Sequence, residues 1–265
     1  MPLRATYSDI VSNARVKDYP SLSVLQVANA PIFREKGYEA AERPYDVPTK
    51  GNAKDPEQAL ISSRQRAKAA IRDIALCNRF SYFFTCTLAP DTVDRYDAAA
   101  VEKQVLTFLK NASYRKGFSY VCVPERHRDG AIHLHGLCNL GRVRITRAVN
   151  PHTSIPLSTN SGQPIFNMLD WKLGFSTCIP IDERYERTCN YITKYISKSG
   201  EKIFGKWYLS SRDLKKHPDI SIIPYGMDYD GFVADNPDLP VVPVYRDVCM
   251  AICSIPAPEE GGASA

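Results

Sequence analysis

Two histidines, His133 and His135, stand two residues apart in "GAIHLHGLCNL" (Gly130 to Leu140), an otherwise apolar run in a chain with five histidines in 265 residues. On a strand, residues two apart share a face. The turn before them decides what stands opposite. Arg128-Asp129-Gly130 fits a three-residue loop, a type I turn closed by a left-handed glycine. That register sets His127 opposite Ala131, Glu125 opposite His133 and Val123 opposite His135, so Glu125 joins both imidazoles on one face. A two-residue Asp-Gly turn would instead set Arg126 opposite His133 and turn Glu125 away. In the first register, two imidazoles and a carboxylate form a three-ligand divalent-metal site with positions open to water or a substrate oxygen. The plainer alternative is a pair of core or surface histidines. A zinc-finger reading through Cys122 and Cys138 fails, because those thiols fall outside the usual ligand spacings.

The second group is "YITKYISK", Tyr191 to Lys198. With Tyr191 as zero on a helix, Lys194, Tyr195 and Lys198 fall at about −60°, +40° and −20°. Two phenols and two ammonium groups thus occupy one face, while Cys189, Ile192 and Ile196 form a separate stripe suited to packing on a sheet. A single tyrosine is ordinarily an apolar body with a wet hydroxyl, but this face carries more than that. A phenol becomes a nucleophile when its pKa of about 10 falls or a base takes its proton. A nearby lysine favours the phenolate and can hold a phosphate oxygen. Attack on a phosphodiester would leave a phosphotyrosine and a free hydroxyl, with the bond energy stored for rejoining.

These residues need a sheet and helices to carry them. "YFFTCTL" (Tyr82 to Leu88) reads as a buried strand, "GFSYVCVPERH" and "AIHLHGLCNL" as a hairpin, and "GFSTCIPI" and "KWYLSS" as further strands. That makes about five strands. A first helix opens at Asp55 as cap with Pro56 at its first position and Gln58 placed to reach back. Leu60, Ala67, Ile71 and Ile74 form its apolar stripe. Arg64, Arg66, Lys68 and Arg72 lie largely off it, either as a solvated face or as a contact to a phosphate backbone. A second helix starts at Asp97, with Val101, Val105, Phe108 and Ala112 inward. The tyrosine helix runs from Glu183 to Lys198, with Gly200 as its cap. Residues 1–54 read as an irregular arm, 55–212 as the working domain, with a polar excursion at 141–170, and 213–265 as an extension ending in a disordered tail, "PAPEEGGASA".

The composition is that of a globular protein, 44% hydrophobic and 24% charged. A net charge of +5 suits a partner with phosphates. No apolar run is long enough to span a membrane, and "MPLRATYSDI" has no apolar segment of a secretory signal. The eight cysteines sit mostly in apolar runs without a CxxC, which fits packed, reduced thiols in a cytoplasmic protein. "GEKIFGKW" matches GxxxxGK, but Trp207 stands where a phosphate loop needs Ser or Thr, and the motif follows a helix rather than a strand. No helicase motor is expected.

Together, the HLH at 133–135, the upstream "FFTCTL" and the downstream YxxKYxxK resemble the HUH endonucleases that initiate rolling-circle replication. Tyrosines four apart resemble the two-tyrosine subgroup typified by the A protein of small icosahedral single-stranded DNA phages. "RAKAAIRDIALCNRFSYFFTCTL" is similar to replication initiators of bacterial plasmids, phages and prophages. The resemblance covers about residues 60 to 212. It implies an α+β HUH endonuclease fold, an antiparallel sheet with the HLH on a central strand and the tyrosine helix beside it. It further implies His133 and His135 as ligands of Mg²⁺ or Mn²⁺, Tyr191 and Tyr195 as nucleophiles, and Lys194 and Lys198 as their lysines. A third ligand in the family is commonly Glu, Gln or His, and Glu125 is the match by hairpin parity. The implied partners are single-stranded or hairpin origin DNA and a host helicase and polymerase, in the bacterial cytoplasm. A transposase or mobilisation relaxase would share this chemistry. A non-catalytic nucleic-acid-binding module with structural histidines would not.

Overall fold

The Arg128–Gly130 turn closes in the first of the two registers. Gly130 has φ 88°, its N–H donates to His127 O at 2.8 Å, and His127 N–H donates to Ala131 O at 2.8 Å. The computed structural model describes residues 11–34, 52–198 and 200–257. They fall into two compact units, one spanning 52–217 and one joining the described parts of 1–51 and 218–265. In chain order the elements are β1 (Val11–Ser12), β2 (Ala14–Tyr19), β3 (Leu22–Ala28), β4 (Phe33–Arg34), α1 (Pro56–Asn78), β5 (Tyr82–Cys86) and α2 (Ala98–Lys116). There follow β6 (Ser119–Arg126), β7 (Ile132–Asn139), β8 (Ile145–Arg147), β9 (Phe166–Met168), β10 (Ser176–Pro180) and α3 (Tyr185–Lys198). The last are β11 (Leu209–Ser210), β12 (Asp219–Ile223), α4 (Tyr229–Asp235), β13 (Val242–Arg246) and β14 (Met250–Pro256).

The protein is α+β, and the sheet of the 52–217 unit is larger than the expected five strands. Seven antiparallel strands run in the order β11-β6-β7-β5-β10-β9-β8. The two extra strands, β8 and β9, come from the 141–170 segment that reads as a polar excursion. They are three residues each and only partly buried, too short to show a period. Central β7 carries Ile132, Leu134 and Cys138 into a core with Val101, Val105, Leu109 and Ala112 of α2. His133 and His135 alternate with them and so face the other way, toward α3. Gly136 is required in that core, because an added Cβ would lie 2.5 Å from the Phe84 ring and 2.7 Å from Cys122 Cβ.

N-terminal caps fix α1 and α2 as their sequences foretell. Asp55 accepts from Gln58 N at 3.0 Å and Asp97 from Ala99 N at 2.9 Å. On α1, Ala67, Ile71 and Ile74 are buried as expected, whereas Leu60 is 40% exposed. The tyrosine helix begins at Tyr185 rather than Glu183, and Gly200 does not adopt the left-handed conformation of a cap. Tyr185 ties that helix down: its hydroxyl donates to Ala75 O and accepts from Phe80 N, both at 2.7 Å, at the end of α1.

The other unit corrects the reading of 1–54 as irregular. Residues 14–28 form a hairpin, β2 to β3, and 213–265 contribute three strands and α4, in a five-stranded sheet ordered β12-β2-β3-β14-β13. Ala14, Leu25, Val27 and Cys253 form its core, packed against Met227, Tyr229 and Phe232. Asn13 is buried and pins the return segment, donating to Met227 O at 2.7 Å and accepting from Gly226 N and Met227 N at 3.2 Å. The expected tail falls mostly on 258–265, outside the described residues, and Pro256 closes β14. All eight cysteines are free, and seven are buried. Among the described residues no helix is long and apolar enough to cross a membrane.

Candidate active site

Strand pairing alone assembles half of the site. Glu125 lies opposite His133 and Val123 opposite His135, while on the other side of β7 Thr85 lies opposite His135. Glu125, His133, His135, Thr85 and Phe83 therefore share one face. Glu125 Oε2 is 3.0 Å from His135 Nε2, and Thr85 Oγ1 is 3.1 Å from His135 Nδ1. His133 is turned aside, its ring stacked on that of His127 at 4.9 Å.

Burial, then the neighbouring His133 and Lys198, pushes His135 down to about 3. Burial also lowers His133, with His127 adding to it. Both imidazoles are neutral at pH 7, the form that ligates a metal. Burial raises Glu125, an effect opposed by Lys198.

The tyrosine helix lands on this face. The Tyr195 ring stacks on His135 with centroids 3.9 Å apart and planes within 10°. Its hydroxyl donates to Tyr191 Oη at 3.0 Å, and Phe83 packs against both phenols. Lys198 Nζ sits 3.7 Å from Glu125 Oε1 and 5.0 Å from the Tyr195 ring centre. Lys194 Nζ lies 5.5 Å from the Tyr191 ring centre. The two phenols are not equivalent: Tyr191 is 44% exposed and Tyr195 only 7%. Helical angles place both on one face and cannot show this, because the difference arises from the His135 ring beneath Tyr195. Burial and the neighbouring Tyr191 hydroxyl raise Tyr195 far above the ordinary phenol value.

Glu125 and His135 meet, and His133 stands beside them with its ring centroid 6.4 Å from that of His135. Among the described residues no three His, Cys, Asp or Glu side chains are gathered into a ligand set as placed. The donor chemistry fits a divalent ion nevertheless, with two neutral imidazoles and a carboxylate on one face. To share one ion with His135 and Glu125, His133 would have to leave its stack with His127. Ligation through Nε2 needs the proton of His135 on Nδ1, where it can be donated to Thr85 Oγ1.

The basic residues of α1 differ in their surroundings. Arg72 Nε donates to Asn190 Oδ1 of α3 at 3.2 Å, Arg66 is exposed, Lys68 is half-buried, and Arg64 Nε is buried without a hydrogen-bond partner among the described residues. Nothing in the residue pattern singles out Thr85, Phe83 or His127. Parity points to Thr85 and Phe83 only once β5 is known to pair with β7. No curated protein and no solved structure matches the chain. Residues 81–200, from β5 to the end of the tyrosine helix, match the model of a family described as replication-associated protein ORF2/G2P.

Proposed function

We propose that the 52–217 unit is an HUH-type replication initiator. It nicks single-stranded origin DNA by tyrosine attack and later rejoins the strand. The observation that carries this reading is the stacking of Tyr195 on His135 at 3.9 Å with Tyr191 hydrogen-bonded to it, which unites the HLH strand and the YxxKYxxK helix in one site. The family match over the same residues supports the replication role.

Tyr191, the open phenol, attacks first. Its oxygen bonds to the scissile phosphorus, its proton passes to solvent, and the P–O3′ bond breaks. The departing oxygen takes up a proton, leaving a 3′ hydroxyl to prime synthesis and a 5′ phosphotyrosine. Tyr195 donates to the Tyr191 oxygen and so holds it in place on the helix face. Lys194 is placed to hold a phosphate oxygen. After a full circle Tyr195 attacks the regenerated junction, and the freed 3′ hydroxyl displaces Tyr191 to close the strand. Glu125, His133 and His135 would hold Mg²⁺ or Mn²⁺, which supplies charge stabilisation at the phosphate.

The test is incubation with Mn²⁺ and a labelled random-sequence single-stranded DNA pool, followed by a denaturing gel. A protein-linked band that vanishes when both Tyr191 and Tyr195 become Phe supports the reading. The same band in that double variant places the nucleophile elsewhere, and no band with the wild type leaves a binding module.

A further inference from the structure

Chain leaving the tyrosine helix does not return to the cleavage face. It runs to the edge strand β11, and there it builds a groove of about 580 Å³. Four exposed cations, Lys202, Lys206, Arg212 and Lys216, line it together with Tyr208 and the edge of Trp207. No carboxylate lines it, and among the described residues none of the four is in an ion pair. Arg212 also borders an adjoining hollow that holds Asp213 and Tyr114, the latter 90% exposed. Leu106 and Tyr120 form the floor of both, which puts the groove on the α2 side of the sheet, away from His133 and His135.

The groove is a built feature. Trp207 is buried, and its indole N–H donates to Ser63 Oγ on α1 at 3.0 Å. Lys202 Nζ lies 5.7 Å from the centre of its ring. Arg126 donates to Glu201 at 2.7 Å, which fixes the start of the segment and occupies that carboxylate. This is the GEKIFGKW stretch, which fails as a phosphate loop for want of a strand before it and a hydroxyl after its lysine. It presents a concave, uncompensated positive surface all the same, and concavity concentrates the field on a phosphate.

We propose that this groove holds the phosphate backbone of a DNA strand outside the cleavage site, with Tyr208 and Tyr114 available for base stacking. Four cations spread along an open groove suit a chain of phosphates rather than one. Aromatic and basic groups in alternation are the usual means of holding a single strand without reading its sequence. That the polyanion is DNA rests on the cleavage reading; the phosphate site itself does not.

The test measures fluorescence anisotropy of a labelled 25-nucleotide mixed-sequence single strand over a range of salt concentrations. The proteins are the wild type, Lys206→Ala with Arg212→Ala, and Lys206→Gln alone, with thermal melting as the control for folding. Single-stranded DNA yields a slope of about 0.7 per phosphate neutralised. The double variant should therefore lower the slope of log K against log salt by about 1.4 and Lys206→Gln by about 0.7. Affinity of the double variant should fall about tenfold or more, while covalent adduct formation on the random pool persists. Unchanged slopes in both variants overturn the proposal. So does binding of ATP at millimolar concentration without binding of the oligonucleotide, which would make this a mononucleotide site. Slopes that fall as expected in the variants, together with a wild type that forms no adduct, uphold the groove and overturn only the cleavage reading.

Discussion

Thr85→Val removes one hydroxyl and little else. Valine is nearly the same size and suits a strand, so β5 should keep its pairing with β10 and β7. What is lost is the 3.1 Å contact to His135 Nδ1. His135 is mostly buried, with only 12% of its side chain exposed, and a buried polar group left without a partner costs about 1–3 kcal/mol. For a unit of this size each kcal/mol lowers the melting temperature by about 2–4 °C. Under the proposed ligation, the larger effect should fall on metal affinity. Without Thr85 to accept the Nδ1 proton, the tautomer that exposes Nε2 loses its support. Losing a partner of a ligating histidine costs about 10–100-fold in metal affinity or activity. Calorimetric titration with Mn²⁺, paired with a melt of the metal-free protein, separates the two. We expect a fall in affinity within that range and a drop of a few degrees in melting temperature. Full Mn²⁺ affinity in a folded Thr85→Val protein would refute the role assigned to Thr85 and with it the ligation of His135 through Nε2.

Gly136→Ala drives a Cβ into Phe84 and Cys122 and should destabilise by about 1–3 kcal/mol, visible as a lower denaturation midpoint; an unchanged midpoint would show that the sheet yields there. Tyr185→Phe strands Ala75 O and Phe80 N, so we expect a melting temperature several degrees lower and faster hydrogen exchange in α3, and no change would mean that the hydroxyl is dispensable. The pH dependence follows from His135, whose folded pKa of about 3 lies below the unfolded value of about 6.5. Between these values the unfolded chain holds the extra proton, so stability rises with pH from about 3 to about 6.5 and is lost on acidification. The metal-free protein should melt at progressively lower temperature from pH 7 to pH 4. A His135→Gln variant should lose part of that slope, and an equal slope in both would reassign it.

The turn decided what could be read beforehand. Gly130 at the third loop position fits the three-residue turn, and of the two registers open to the sequence the observed one gives the shared face of Glu125, His133 and His135. The helix period likewise brings Tyr191, Lys194, Tyr195 and Lys198 to one side. Sequence could not show that Tyr195 lies under cover while Tyr191 is open, since the covering ring belongs to β7, some sixty residues away. Nor could it show the sheet of the second unit. β3, "LSVLQVA", is buried on both faces and so does not alternate, and its partner β14 comes from the far end of the chain. Short β8 and β9 carry no period either. Their pairing with β10 and each other makes them strands, and pairing is a long-range property.

The most direct measurement is the identity of the side chain that carries the DNA. After reaction with the single-stranded pool and Mn²⁺, the adduct is digested with protease and nuclease, and the nucleotide-bearing peptide is sequenced by mass spectrometry. We expect a 5′-linked nucleotide on Tyr191 in the wild type at early times. Tyr195 should bear it when Tyr191 is replaced by Phe, at a rate lower by at least tenfold because its hydroxyl is buried. A nucleotide found on serine, on a tyrosine outside Tyr191 and Tyr195, or linked through its 3′ phosphate would contradict the central claim.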